Sequence, residues 1–132
     1  MRIIKSINFD AAHFLDQFNR DGTRLNPEAR PYARLHGHSF TLEVEIEGEQ
    51  HPEEGWVVDF GDVAEALESV RDALDHRLLN EVEGLERPTL ENICVWVARR
   101  MKNDFPGLAR VRVSRPSNGE TCIYDVPPED GN

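Results

Sequence analysis

Residues 36–46, HGHSFTLEVEI, alternate without a break. His36, His38, Phe40, Leu42, Val44 and Ile46 fall on one side; Ser39, Thr41, Glu43 and Glu45 fall on the other. Successive side chains of a strand point to opposite faces, so a period of two over this length predicts a half-buried antiparallel strand with a polar outer face. The rest of the chain must supply a layer to cover the apolar face. It must also explain why two imidazoles stand at the head of that face.

The flanking segments fit such an arrangement. Residues 2–12 also alternate, with Ile3, Ile7, Phe9 and Ala11 on one parity, and predict a first strand. Residues 14–33 turn polar and carry Gly22, Pro27 and Pro31. A loop of this length inside a compact domain is uncommon and points to function. GEQHPEEG reads as a turn after the second strand, and WVVDF as a short strand returning from it. In GDVAEALESVRDAL, residues Val63, Leu67, Val70 and Leu74 make one helical stripe, with Asp59 or Asp62 as cap. In TLENICVWVARRMK, Leu90, Ile93, Val97 and Met101 make a second stripe. Thr89 is the natural N-cap there, Glu91 suits the positive end of the helix dipole, and Pro106 and Gly107 end the element. LARVRVSR and TCIYDV then alternate around an Asn118-Gly119 hairpin signal. The order is ββααββ in one domain, 1–132. The predicted class is α+β, a four-stranded antiparallel sheet with two helices on one face. Open sheet edges invite pairing with another copy of the chain.

Bulk properties narrow the function. A net charge of −10 disfavours nucleic acid and anionic membrane surfaces as partners. No apolar run is long enough to span a bilayer, and the N-terminal segment lacks the apolar core of a signal peptide. Cys94 and Cys122 match no zinc or redox spacing, so a reduced, cytoplasmic protein is expected. Against the acidic background, Arg20, Arg24, Arg30 and Arg34 gather in the long loop beside Asp21 and Glu28. Such a cluster either steers an anionic substrate or is solvated surface.

The histidines carry the chemistry. His36 and His38 share a strand face, and His13 closes the first strand on the parity of Phe9 and Ala11. If the first two strands pair as a hairpin, all three imidazoles meet. Three histidines with an open fourth position are the ligand set of a catalytic zinc site. His51 lies in a polar turn and is expected to be solvated. Asp75-His76 follows a helix, and on spacing alone is either a helix C-terminal charge or a catalytic dyad.

The segments FDAAH, LHGHSF, WVVDF, LDHRLLN and PTLEN, in this order, resemble the 6-pyruvoyltetrahydropterin synthase / 6-carboxytetrahydropterin synthase family over nearly the whole chain. The closer likeness is to the bacterial 6-carboxytetrahydropterin synthases of queuosine (7-deazaguanine) biosynthesis. The resemblance implies the tunnelling fold (T-fold), with subunits joining as trimers or stacked hexamers and sites at subunit interfaces. It implies one zinc ion per subunit on His13, His36 and His38, and an acid/base pair at Asp75 and His76. It further implies a lyase that converts 7,8-dihydroneopterin triphosphate to 6-carboxytetrahydropterin, acetaldehyde and triphosphate. Two alternatives share these residues: a 6-pyruvoyltetrahydropterin synthase or dihydroneopterin aldolase-like paralogue, and a zinc- and pterin-binding homologue without catalysis.

The chain departs from the family pattern twice. Where the family has its catalytic cysteine, four residues before the first histidine of HGH, stands Tyr32. A phenol yields its proton less readily than a thiol, so Tyr32, His76 alone, or Glu28 from the loop are the candidate bases. Where the family has a pterin-anchoring glutamate, stands Arg115. Arginine has no acceptor to offer the ring's N–H groups, and Glu120 is the nearby acid that a shifted hairpin could bring in. Thr89 and Glu91 match the family's T-x-E-N segment, where a helix start contacts the pterin.

Overall fold

The computed structural model describes residues 1–15 and 31–128. Glu28, Arg20, Arg24 and Arg30 therefore lie outside the described residues. Six elements follow the expected order: β1 (Arg2–His13), β2 (His36–Glu47), α1 (Phe60–Leu74), α2 (Leu90–Met101), β3 (Leu108–Arg115) and β4 (Glu120–Asp125). The strands form one antiparallel sheet in the order β1-β2-β3-β4. Both helices cover one face of it, as expected from the stripes.

Pairing of β1 with β2 runs unbroken from Arg2 opposite Glu47 to His13 opposite His36. The parity of the sequence is thus the parity of the sheet. Phe9 and Phe40 sit directly opposite, stack at 4.9 Å, and are buried with Leu42, Val44, Ile46, Val111 and Val113. Val63, Leu67, Val70 and Leu74 of α1, and Leu90, Ile93, Val97 and Met101 of α2, close the core from above. Each such side chain contributes about 1.5–3 kcal/mol on burial. Asp59 caps α1 by accepting from the Gly61 N–H, and Thr89 caps α2 by accepting from the Asn92 N–H. Gly107 is required where the chain enters β3. A Cβ there would stand 2.2 Å from the Glu47 carbonyl oxygen, and the Gly107 carbonyl accepts from the Glu47 N–H at 2.8 Å.

WVVDF is not a strand. Trp56–Val58 is a bend, held by the His51 N–H on the Trp56 carbonyl. The reason is topological: β2 already has β1 on one side and β3 on the other, so no ladder is left for a returning segment. Val57 and Val58 pack against the core margin instead. The β3–β4 connection also differs from a tight Asn-Gly turn. Pro116–Asn118 forms a 3-10 turn, Gly119 takes the left-handed conformation at φ 67°, and Arg115 pairs with Glu120. No helix among the described residues is long and apolar enough to cross a membrane.

Candidate active site

One end of the sheet's helix-facing side collects polar side chains from all four strands. His13 comes from β1, His36 and His38 from β2, Arg115 from β3 and Glu120 from β4. The apolar alternation stops here, and histidine and arginine take the inward positions that Phe, Leu and Val hold further along.

His13, His36 and His38 offer nitrogens that all lie within 4.8 Å of one another. His13 is fully buried, and its Nδ1 lies 3.0 Å from the Pro88 carbonyl oxygen. His36 Nδ1 lies 2.5 Å from the Arg34 carbonyl oxygen. A carbonyl can only accept, so both rings donate from Nδ1 and turn a bare lone pair outward at Nε2. Those two Nε2 atoms are 3.1 Å apart. Facing lone pairs repel at that distance, whereas a cation between them makes the arrangement favourable. Tetrahedral coordination at about 2.0–2.1 Å requires nitrogens a little over 3 Å apart. His38 Nε2 is buried and has no hydrogen-bond partner among the described residues. Burial pushes His13 down to about 4 against the pull of the Pro88 carbonyl, with His36, His38 and Arg115 adding to the fall. Burial, then Arg115 and His36, also lowers His38. These are the neutral imidazoles a metal ion needs, so the donor set fits the ion that the fold family implies. Pro88 and Arg34 were not legible as site residues, because their carbonyls orient the ligands irrespective of side-chain type.

Asp75 and His76 form a second group at the edge of β1. Asp75 caps the C-terminus of α1 with its N–H on the Arg71 carbonyl. Its Oδ1 accepts from the Asp10 N–H at 2.9 Å, and its Oδ2 lies 2.8 Å from His76 Nδ1. The Asp10 N–H, then the His76 contact, hold the carboxyl below its ordinary range. His76 has φ 57°, unusual for a residue with a Cβ, and its N–H donates to the Asp10 carbonyl at 2.6 Å. The Ala12 N–H donates to the Arg77 carbonyl, so the segment after α1 runs along β1 and fixes the imidazole there. His76 and His38 line the same cleft, about 570 Å³, together with Asp10, Gly37 and Ser39. The Ser39 hydroxyl donates to the Asp10 carboxylate within it.

The third group contains both departures from the family pattern. The Tyr32 carbonyl accepts from the Leu15 N–H and so closes the base of the long loop. The Tyr32 ring lies edge-on to His36 at 5.9 Å, and its hydroxyl donates to Glu120 Oε2 at 3.0 Å. Arg115 Nε is 3.1 Å from Glu120 Oε1, within ion-pair distance but off the line of a hydrogen bond. Partial burial raises Glu120, but the Tyr32 hydrogen bond and the Arg115 charge together hold it below the ordinary carboxylate range. The longer β3–β4 loop thus brings Glu120 opposite Arg115, to the same end of the sheet as the histidines.

The remaining candidates are placed as follows. Thr89 follows Pro88 and caps α2 beside His13, whereas Glu91 is exposed on the first turn. His51 closes its own turn by accepting at Nδ1 from the Glu53 and Glu54 N–H groups. Cys94 is buried between α2 and the sheet, with its thiol on the carbonyls of Val111 and Cys122, and burial pushes it up to about 12. A thiol of that kind is no nucleophile.

Comparison with known proteins agrees with this geometry. The family model described as 6-pyruvoyl tetrahydropterin synthase matches residues 2–127. A dihydroneopterin monophosphate aldolase of Pyrococcus furiosus is 35% identical over 111 residues, covering 84% of this chain and 83% of that protein. A 6-carboxy-5,6,7,8-tetrahydropterin synthase of Synechocystis is 35% identical over 126 residues, covering 91% and 86%. The solved structure of Caenorhabditis elegans 6-pyruvoyl tetrahydropterin synthase superposes with a TM-score of 0.80 at 24% identity, covering 96% of each chain. With a T-fold subunit and a match over almost its full length, the chain belongs to the 6-pyruvoyl tetrahydropterin synthase family.

Proposed function

We propose that this protein is a zinc-dependent lyase acting on the side chain of a phosphorylated 7,8-dihydroneopterin. The first reading is a 6-carboxytetrahydropterin synthase that takes the triphosphate and one water to 6-carboxytetrahydropterin, acetaldehyde and triphosphate, within queuosine biosynthesis. The observation that carries it is the convergence of the His13, His36 and His38 imidazoles within 4.8 Å of one another, in a chain that also holds His76 against Asp75 at the edge of β1. Relatives of comparable identity bear the synthase name.

His13, His36 and His38 would hold the ion, one per subunit. A bound zinc polarises substrate oxygens and makes neighbouring protons easier to remove. His76 then serves as acid/base through Nε2, while Asp75 holds Nδ1 and fixes the ring. Glu120 offers acceptor lone pairs to the ring's N–H groups in place of the family's usual glutamate. Tyr32 stands at the cysteine's place with its hydroxyl on Glu120. Thr89 and Glu91 form the helix start that faces the pterin, and the assembly is a homo-oligomer.

A second reading has a specific observation behind it. The Pyrococcus relative is named a dihydroneopterin monophosphate aldolase, and the described site holds no cysteine. A retro-aldol cleavage of the trihydroxypropyl side chain needs one base and one electron sink, and it leaves a 6-hydroxymethyl dihydropterin and a two-carbon phosphoaldehyde. Zinc-loaded protein should be offered the triphosphate and the monophosphate separately, with products identified by mass spectrometry. Acetaldehyde and the 6-carboxy product from the triphosphate support the synthase. The hydroxymethyl product from the monophosphate supports the aldolase. Both substrates unchanged beside a full complement of zinc would overturn catalysis and leave a binding protein.

A further inference from the structure

Arg115 has an unusual position for a cation. It is 7% exposed, it faces the buried side of the sheet, and it stands where the family resemblance implies an acid. Its Nε is engaged with Glu120 Oε1, and its guanidinium lies over the Tyr32 ring at 5.7 Å. Its Nη1 is buried and has no hydrogen-bond partner among the described residues. An unpaired buried donor costs about 1–3 kcal/mol, so a bound acceptor at this atom would be favourable. Glu120 is complementary to it. A carboxylate has about four lone-pair positions; the Tyr32 hydroxyl takes one on Oε2, whereas Oε1 is in ion-pair contact with Arg115 and accepts no hydrogen bond among the described residues. Among the described residues this leaves an unpartnered donor, Arg115 Nη1, beside an unpartnered acceptor, Glu120 Oε1.

We propose that Arg115 and Glu120 together read the lactam edge of a 2-amino-4-oxo ring, with Glu120 accepting from the ring N–H and Arg115 Nη1 donating to the 4-oxo oxygen. This rests on the pterin reading and makes it more specific. A lone glutamate accepts from the N–H groups of any aminopteridine. The arginine adds a requirement for an oxygen at position 4, because an amino group there would set donor against donor. Rejection by an unsatisfied buried group is stronger than rejection by a missing apolar contact. Arg115 is on this account a specificity-determining residue.

The test is equilibrium binding of pterin and of 2,4-diaminopteridine to zinc-loaded protein, read by ligand fluorescence. The wild type should bind pterin at least about tenfold tighter, the value of one charge-assisted hydrogen bond. Arg115→Gln should bring the ratio near one while zinc content stays full. If removing the charge beside Glu120 prevents folding, Arg115→Lys keeps the cation, loses the planar fork, and should lower the ratio. Equal binding of both rings by the wild type, or a ratio unmoved by either substitution, overturns the role of Arg115 and leaves the pterin reading intact. Guanine has the same edge on a different ring. Guanine binding that depends on Arg115, with neither pteridine bound, upholds the edge and overturns the pterin reading. Binding of none of the three overturns both.

Discussion

The two hairpins of this sheet reach the same end by different means. In β1–β2, twelve residues face twelve with no slip, and the register delivers three histidines to one point. In β3–β4, six pairs lead into a loop of four residues, and the loop decides that Glu120 lies opposite Arg115. The first hairpin gathers the three histidines that the resemblance assigns to a metal. The second carries Arg115 on β3, where the resemblance implies an acid, and an acid, Glu120, opposite it on β4. A long ladder fixes its contents by counting, so its chemistry resists change unless the ligands themselves are replaced. A short ladder with an adjustable loop can move a charge from one strand to the next without disturbing the core.

The sharpest way to break the comparison is at the metal. His36→Ala should take zinc content from one per chain to near zero after dialysis, because two imidazoles hold the ion far more weakly than three. Full zinc by metal analysis would separate β1–β2 from metal binding altogether. Next comes the edge of β1. His76→Gln should keep the zinc while turnover drops about 10²–10⁴-fold, the usual worth of a general acid/base, and zinc loss in this variant would show that the dyad supports the metal site rather than the chemistry. Glu120→Gln, on the other hairpin, should leave zinc in place and weaken pterin binding about tenfold or more; unchanged binding would mean that β3–β4 has lost the anchor and not moved it.

A smaller effect concerns acidity. His13 is depressed to about 4 from an ordinary value near 6.5. In metal-free protein the unfolded chain therefore takes up a proton at His13 before the folded chain does. That stability is present above pH 6.5 and is lost as pH falls toward 4. Denaturant midpoints of the chelated protein should decline across this window, and His13→Gln should flatten the decline.

Strand parity was enough to place His13, His36 and His38 on one face, since a period of two leaves only one alternative. The helix stripes and both caps could likewise be read, because local side chains decide them. WVVDF could not, since its composition suits a strand and only the occupancy of β2's two edges excludes it. The β3–β4 hairpin could be read, but not the length of its loop. Asn118-Gly119 promises a two-residue turn, but Pro116 begins a 3-10 turn one step earlier and moves the pairing partner of Arg115 to Glu120. The family resemblance flagged Arg115 and Tyr32 as departures. Their mutual contact through Glu120 is a tertiary fact, assembled from three segments far apart in the chain.

The left-handed backbone of His76 sets usefulness against robustness. Any side chain beyond hydrogen pays about 1 kcal/mol at such a dihedral, and glycine does not. Replacing His76 with glycine should therefore yield a protein that resists denaturant at least as well as the wild type while losing the imidazole held by Asp75. Selection for stability alone would drift toward glycine at this position, so an imidazole retained there marks a demand that folding does not make.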